Sequence, residues 1–286
     1  MIGHRSIGLS VGYQVASNTC VIQLIDSNRR NSAYRLVSKE PFCLLYSKWS
    51  PNHQYAAIRD FPSGILSIAT GHNSTGWEPV FDIEGVIVSP KSPVWSADSQ
   101  QLAFLNDNNS ITVLGTISME NDVPNKPRLF TMNTTQPIPY SPLAWSPDGK
   151  FIAFAAYAVS HTQGSEELYL LNVGNGDVRR LTTNSYSDDS PSWSPNGTEL
   201  VFTSLEHGYD ELYIMQVTTG ERRQLTYFIG AYSPIWSPDG KTIMFQSKLD
   251  YGYDLYVIGA NGFGLRRITF SHSLSALYPV WLVGLG

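Results

Sequence analysis

Three observations predict an all-β chain folded as a six-bladed β-propeller with four antiparallel strands in each blade. A turn of the form Trp-Ser-Pro/Ala-Asp/Asn returns at Trp49, Trp95, Trp145, Trp193 and Trp236, and Trp281 follows as a last tryptophan. The six stand 46, 50, 48, 43 and 45 residues apart, and a period of roughly 40–50 residues built only from short strands marks a propeller. No stretch shows helical periodicity, so helix content near zero is expected. The two ends also complement each other, because five residues follow Trp281 whereas 48 precede Trp49.

Taken in order, the runs Ile7–Val11, Cys20–Ile25 and Ala33–Val37 fit strands B, C and D of a blade whose strand A ends at Trp281. This arrangement is a 3+1 clasp between the N- and C-terminal regions. It leaves only short, protected sheet edges. The blades then fall at about 42–84, 86–132, 138–182, 188–226 and 231–269, with 277–286 completed by 5–38, so residues 1–286 form a single domain. In the cleanest copy strand A ends at Trp193, strand B is Glu199–Thr203, strand C Glu211–Met215 and strand D Arg222–Thr226. The neighbouring copies match with Glu167–Leu171 and Val178–Thr182 before it, and Asp254–Ile258 and Leu265–Thr269 after it. Thr116 to Lys126 departs most from the repeat, and its prolines and polar residues predict a solvent loop.

Each A–B connection has turn chemistry. In Ser237-Pro238-Asp239-Gly240 the serine suits the first position of a type I turn and Pro238 presets φ at the second. Asp239 can bond its own backbone, and Gly240 takes the left-handed conformation that strains a Cβ. The flanks Ile235-Trp236 and Thr242–Phe245 are β-branched or aromatic, which completes a hairpin signal.

Composition narrows the function classes. The chain is 42% hydrophobic and 15% charged, ample for a core and unlike a disordered segment. A net charge of −5 with no basic stripe disfavours nucleic acid as a partner. No apolar run approaches the roughly 18–20 residues of a membrane span, so no membrane insertion is expected. Met1–Ser6 carries no apolar core of a signal peptide. Cys20 and Cys43 both lie in apolar strand-like runs and read as buried free thiols, with a disulfide between them left open.

The pattern Ser-Pro-x-Trp-Ser-Pro-Asp-Gly-Lys, then x-Ile-x-Phe, Asp-Leu-Tyr and Arg-Arg-x-Leu-Thr resembles the WD40-like (PD40) repeat of TolB-type propellers, most strongly over residues 141–270. The resemblance implies a non-catalytic platform that binds a protein or peptide partner and works in the bacterial periplasm or cell envelope; the chain is expected to act as a monomer. TolB itself also has an N-terminal α/β domain, for which no segment is read here.

Strand alternation places the D–A and B–C loops on one face and the A–B and C–D turns on the other. The first face is irregular and holds the aromatic and acidic residues expected to contact a partner: Tyr186, Asp188, Asp189, His207, Tyr209, Tyr227, Phe228, Tyr251 and His272. Asp188 and Asp189 read as a turn ahead of an inner strand. No cofactor is expected, with a channel Ca²⁺ held by such acids as the alternative. Ser92, Ser141, Ser190 and Ser233 precede the blade prolines and read as hydroxyls that hold channel water. The arginine pairs 179/180, 222/223 and 266/267 read as charges guarding outer edges. The six histidines are scattered singly, and the catalytic alternative is a metal-dependent hydrolase or lyase at the channel mouth, with His161, His207 and His272 its conceivable ligands.

Overall fold

A computed structural model describes residues 7–14, 19–26, 33–38, 48–52, 55–59, 66–70, 79–82, 90–108, 111–120, 123–125, 128–131, 142–157, 165–248, 253–269 and 277–282. Among these residues every regular element is a strand, and no helix is long and apolar enough to cross a membrane. The chain divides into two compact units, residues 46–191 and residues 1–45 with 192–286.

Strands β1 (Ile7–Gln14), β2 (Thr19–Asp26) and β3 (Ala33–Ser38) are consecutive neighbours in one sheet. The next sheet runs β4 (Lys48–Trp49), β5 (Tyr55–Arg59), β6 (Leu66–Thr70) and β7 (Pro79–Asp82). A third holds β8 (Pro90–Trp95), β9 (Gln101–Asn108), β10 (Ile111–Glu120), β11 (Val123–Pro124) and β12 (Arg128–Thr131). Then come β13 (Ala144–Trp145), β14 (Phe151–Tyr157), β15 (Glu166–Asn172) and β16 (Val178–Arg180). β17 (Asp188–Trp193) heads the sheet of β18 (Glu199–Ser204), β19 (Glu211–Gln216) and β20 (Arg222–Gln224). The last run is β21 (Ala231–Trp236), β22 (Thr242–Ser247), β23 (Asp254–Gly259) and β24 (Arg266–Arg267). Finally β25 (Leu277–Leu282) pairs antiparallel with β1, Leu277 opposite Gly12 and Leu282 opposite Ile7.

One turn recurs between the first two strands of five sheets, and a buried serine is its fulcrum. Ser50, Ser96, Ser146, Ser194 and Ser237 are each 1–2% exposed. Each hydroxyl donates to the acid or amide two residues on, at 2.6–2.7 Å. Each serine Oγ also accepts the N–H of the residue five on, at 2.9 Å. The fourth turn position is left-handed at Gly149, Gly197 and Gly240 (φ 71°, 72° and 68°), and Ser99 adopts the same conformation (φ 62°) where the glycine is missing. Gly240 therefore behaves as its turn chemistry requires.

The tryptophans that precede these turns are core residues. Trp95, Trp145, Trp193 and Trp236 are 5–8% exposed. In the 46–191 unit, Trp95 stacks on Tyr55 with centroids 5.5 Å apart, and Trp145 Nε1 donates to Val94 O at 3.1 Å. In the other unit Trp281 Nε1 donates to Ile235 O at 3.4 Å. A tryptophan on one sheet thus reaches the carbonyl just before the tryptophan of the preceding sheet, joining apolar burial to a satisfied donor.

The structure corrects two sequence readings here. The segment from Thr116 to Lys126 is not a solvent loop, since β10 continues to Glu120 and folds back as a hairpin through Glu120–Val123 and Met119–Pro124. Ile117 and Met119 are buried in this extension, with Tyr55, Ile68 and Trp95 in their cluster, which gives it an apolar reason to exist. Strands D are also shorter than expected, β20 ending at Gln224 and leaving Thr226 free to act as a cap. Ser92, Ser190 and Ser233 share a further backbone feature, positive φ (51°, 52° and 49°) directly before prolines. Register shifts of β8 between Lys91 and Val94, and of β21 between Tyr232 and Ile235, mark the first and last of these as bulges. Cys43, Ser141, His161 and the side chain of Cys20 lie outside the described residues.

Candidate functional site

Three sheets carry the same buried polar unit at the start of their third strand. An acid sits there in each: Glu167 on β15, Glu211 on β19 and Asp254 on β23, at 0%, 2% and 4% exposure. A threonine just past the fourth strand serves it. Thr182, Thr226 and Thr269 accept the backbone N–H of Leu168, Leu212 and Leu255 at 2.8–2.9 Å. Thr226 Oγ1 then donates to Glu211 Oε2 at 2.5 Å, and Thr269 Oγ1 to Asp254 Oδ1 at 2.7 Å. A loop N–H closes the acid's other side, from Asn184 to Glu167 Oε1 at 2.9 Å and from Ile229 to Glu211 Oε1 at 2.8 Å.

The unit needs a cation, because an unpaired buried carboxylate is costly. Arg180 supplies it to Glu167 at 2.9 Å, and Arg267 supplies it to Asp254. The ladder register puts Arg180 opposite Tyr169, Arg267 opposite Tyr256 and Gln224 opposite Tyr213. Gln224 therefore holds the cation's position in the sheet of β17 to β20. Its Nε2 donates to Thr226 O at 2.9 Å, copying the bonds of Arg180 Nε to Thr182 O and of Arg267 Nε to Thr269 O, but it brings no charge. Glu211 has no ion-pair partner among the described residues.

A recess of about 240 Å³ opens over this position, lined by His207, Tyr209, Glu211, Gln224, Tyr227 and Phe228. Its walls come from the β18–β19 loop and the β20–β21 loop, two connections that strand alternation puts at the same end of a sheet. Tyr209, Tyr227 and Phe228 are 57%, 61% and 77% exposed, and Tyr209 meets Phe228 edge-on with centroids 6.1 Å apart. Phe228 sits at φ 57°, an unusual backbone for a bulky residue. Such exposed aromatics stand ready to bury area against a partner.

Beside the recess, the Tyr232 hydroxyl bonds Asp210, and burial followed by the Asp210 charge pushes the phenol up to about 12. Burial likewise raises Asp210, against the lowering hydrogen bond from Tyr232. Tyr232 also meets Tyr253 edge-on at 6.0 Å, and Lys248 lies 5.9 Å over the Tyr253 ring.

The other unit contains a separate acidic group. Burial, then the charge of Asp189, raises Glu166 to about 7, while a hydrogen bond from Tyr157 opposes the rise. Asp188 and Asp189 belong to β17 itself and do not form a turn ahead of it. Asp188 is fully buried and accepts from Asn184 Nδ2 at 2.7 Å. Tyr186 is half-buried and its N–H reaches Asn184 Oδ1 at 3.0 Å.

Of the residues expected to meet a partner, the structure brings His207, Tyr209, Tyr227 and Phe228 around one recess. Tyr186, Asp188 and Asp189 lie in the 46–191 unit, and Tyr251 and His272 lie outside the described residues. Among the described residues no group of three or more His, Cys, Asp and Glu is arranged to hold a metal ion. Sequence reasoning missed Glu211 and Gln224. Their signal was present in the Leu/Ile-Thr that follows the fourth strand in these three sheets: aligned on it, Gln224 falls where Arg180 and Arg267 stand.

On the same alignment the pair 222/223 is offset by one residue from 179/180 and 266/267. Three of the six, Arg180, Arg267 and Arg223, bond inward or to the next sheet in addition to lying on an outer strand. Arg180 and Arg267 hold buried acids, Arg222 pairs with Glu206 at 3.0 Å, and Arg223 donates to Ala260 O at 2.6 Å. Arg128 likewise donates to Val173 O at 2.6 Å.

Comparison with known proteins agrees with this architecture. The family model PD40, described as the TolB beta propeller domain, matches residues 86–233 and 127–282. The Tol-Pal system protein TolB of Hahella chejuensis is 36% identical over 88 residues, 30% of this chain and 20% of that protein. The chain thus spans about a fifth of the length of the curated relatives it matches. Among solved structures, TolB from Acinetobacter baumannii superposes with TM-score 0.72 at 19% identity, covering 98% of this chain and 67% of that one. A TolB-type protein of Agrobacterium tumefaciens gives TM-score 0.66 at 18% identity over 93% of this chain and 89% of its own.

Proposed function

This chain belongs to the PD40 family of TolB β-propeller domains, and from that premise we propose that it is a non-catalytic scaffold that binds a protein or peptide partner. The scaffold is a six-bladed ring closed by a 3+1 clasp, a reading supported by the pairing of β25 with β1. It binds through the face made by its D–A and B–C loops. One observation carries this most directly: Tyr209, Tyr227 and Phe228 stay exposed together over a recess, on loops held by a rigid sheet. The reading calls for no cofactor. Relatives named as Tol-Pal system proteins support a place in the bacterial periplasm or envelope.

Replacing Tyr227 and Phe228 together by Ser tests the face. Both side chains are mostly exposed, so the fold and its melting temperature should hold. Capture of envelope proteins by the immobilised chain should fall at least tenfold, in keeping with the loss of two aromatic anchors at about 1–2 kcal/mol each. Undiminished capture would remove this patch from the binding surface.

A further inference from the structure

We propose that the recess over Glu211 is a receptor for a single cationic side chain, an arginine or lysine presented by the partner. This deepens the binding reading above and rests on it. The structure contains its own control. In the sheets of β13 to β16 and β21 to β24, an arginine at one fixed register position neutralises the buried acid from within the chain. In the sheet of β17 to β20 that position is Gln224. The rest of the unit is kept: the threonine, the loop N–H and the amide bond to the threonine carbonyl are all in place. Only the charge has been withdrawn, and where it was withdrawn a recess opens to the outside.

The chemistry of the walls fits the missing group. Glu211 spends one hydrogen bond on each carboxylate oxygen, from Thr226 and Ile229. A carboxylate has about four lone-pair sites, so capacity remains for a charge-assisted bond. Tyr209, Tyr227 and Phe228 line the recess with aromatic rings, and a cation beside such rings is favoured. A volume of about 240 Å³ lies below the roughly 300–1,000 Å³ of pockets for drug-sized ligands. It suits one inserted side chain. A cation arriving from a partner would complete the unit that Arg180 and Arg267 complete elsewhere.

The test titrates the full chain with acetyl-Gly-Arg-Gly-amide and with the same peptide carrying citrulline, a neutral match in shape, following amide and aromatic NMR shifts. Saturable binding of the arginine peptide, at least tenfold tighter than citrulline, is expected, with shifts at Tyr209, Gln224 and Phe228. Gln224→Arg restores the internal cation and should weaken the arginine peptide at least tenfold without lowering the melting temperature. Glu211→Gln, checked for folding by the same NMR spectrum, should do likewise if Gln224→Arg fails to fold. Equal affinity for the two peptides, binding of neither, or undiminished binding by both variants would overturn the proposal. If the charge dependence is missing while capture still falls on replacing Tyr227 and Phe228, the cation receptor alone is wrong. Capture insensitive to that pair instead removes the binding face on which it rests.

Discussion

At the scale of single residues, the buried polar groups are the informative ones. Glu166 shows how a half-buried acid can link stability to pH. Its carboxyl is raised from 4.5 to about 7 by burial first and the Asp189 charge second. The folded chain therefore holds the proton through a pH window where the unfolded chain has lost it. Stability from this group is full below about 4.5 and is lost as pH rises through about 7. Glu166→Gln should remove the dependence. Melting temperatures of the two proteins should converge near pH 5, and by pH 8 the variant should be the more stable by on the order of 1 kcal/mol, solvent screening at this half-exposed site having reduced the full linkage. Parallel melting curves across that range would show that Glu166 titrates normally. Trp236 offers a contrast among the tryptophans: its buried Nε1 makes no hydrogen bond among the described residues, whereas Trp145 and Trp281 each reach a carbonyl.

At the scale of elements, two glycines are required for different reasons. Gly115 on β10 lies opposite Phe104 on β9, and a Cβ there would stand 2.3 Å from the ring. Phe104 is fully buried and has nowhere to go. Gly149, by contrast, has open space around it but φ of +71°. Gly115→Ala should cost about 1–3 kcal/mol through overpacking, and Gly149→Ala roughly 1–2 kcal/mol through backbone strain. Denaturant unfolding of single and paired variants separates the two causes. Adding Phe104→Leu should recover part of the first loss and none of the second. Equal response to Phe104→Leu would mean that the ring contact is not what makes Gly115 necessary. The serine turns belong at this scale too, because one hydroxyl both donates to the turn acid and accepts a strand N–H, tying the loop to the hairpin it opens.

At the scale of the whole molecule, the proposed ring makes a demand on the C-terminal strand. β25 pairs with β1 along residues 277 to 282 and Trp281 packs near Met244, Leu255 and Val257. Removing residues 277–286 would strip β1 of that partner and expose a sheet edge. Thermal unfolding of the truncated chain should shift downward by several degrees as one cooperative transition. An unshifted transition, or the loss of only a minor early phase, would count against the clasp.

Much of this was legible in the chain before any coordinates. The tryptophan period, the Ser-Pro-Asp-Gly turns and the apolar alternation state their own conformational needs within ten residues, so strands β18, β19 and β23 fall within a residue of where the pattern puts them. Strand alternation even brought His207, Tyr209, Tyr227 and Phe228 to one end. Other features could not be read that way. The hairpin of β10 and β11 is polar and proline-bearing in sequence, and only the apolar neighbours Tyr55 and Trp95 make it worth folding back. Local pattern fixes what each segment becomes, because turns and strands are set by neighbouring dihedral angles and side-chain alternation. Which acid keeps a cation follows from the identity of one residue in the fourth strand, legible once the copies are aligned. That this position faces a buried acid was decided by the pairing of the third and fourth strands in three dimensions.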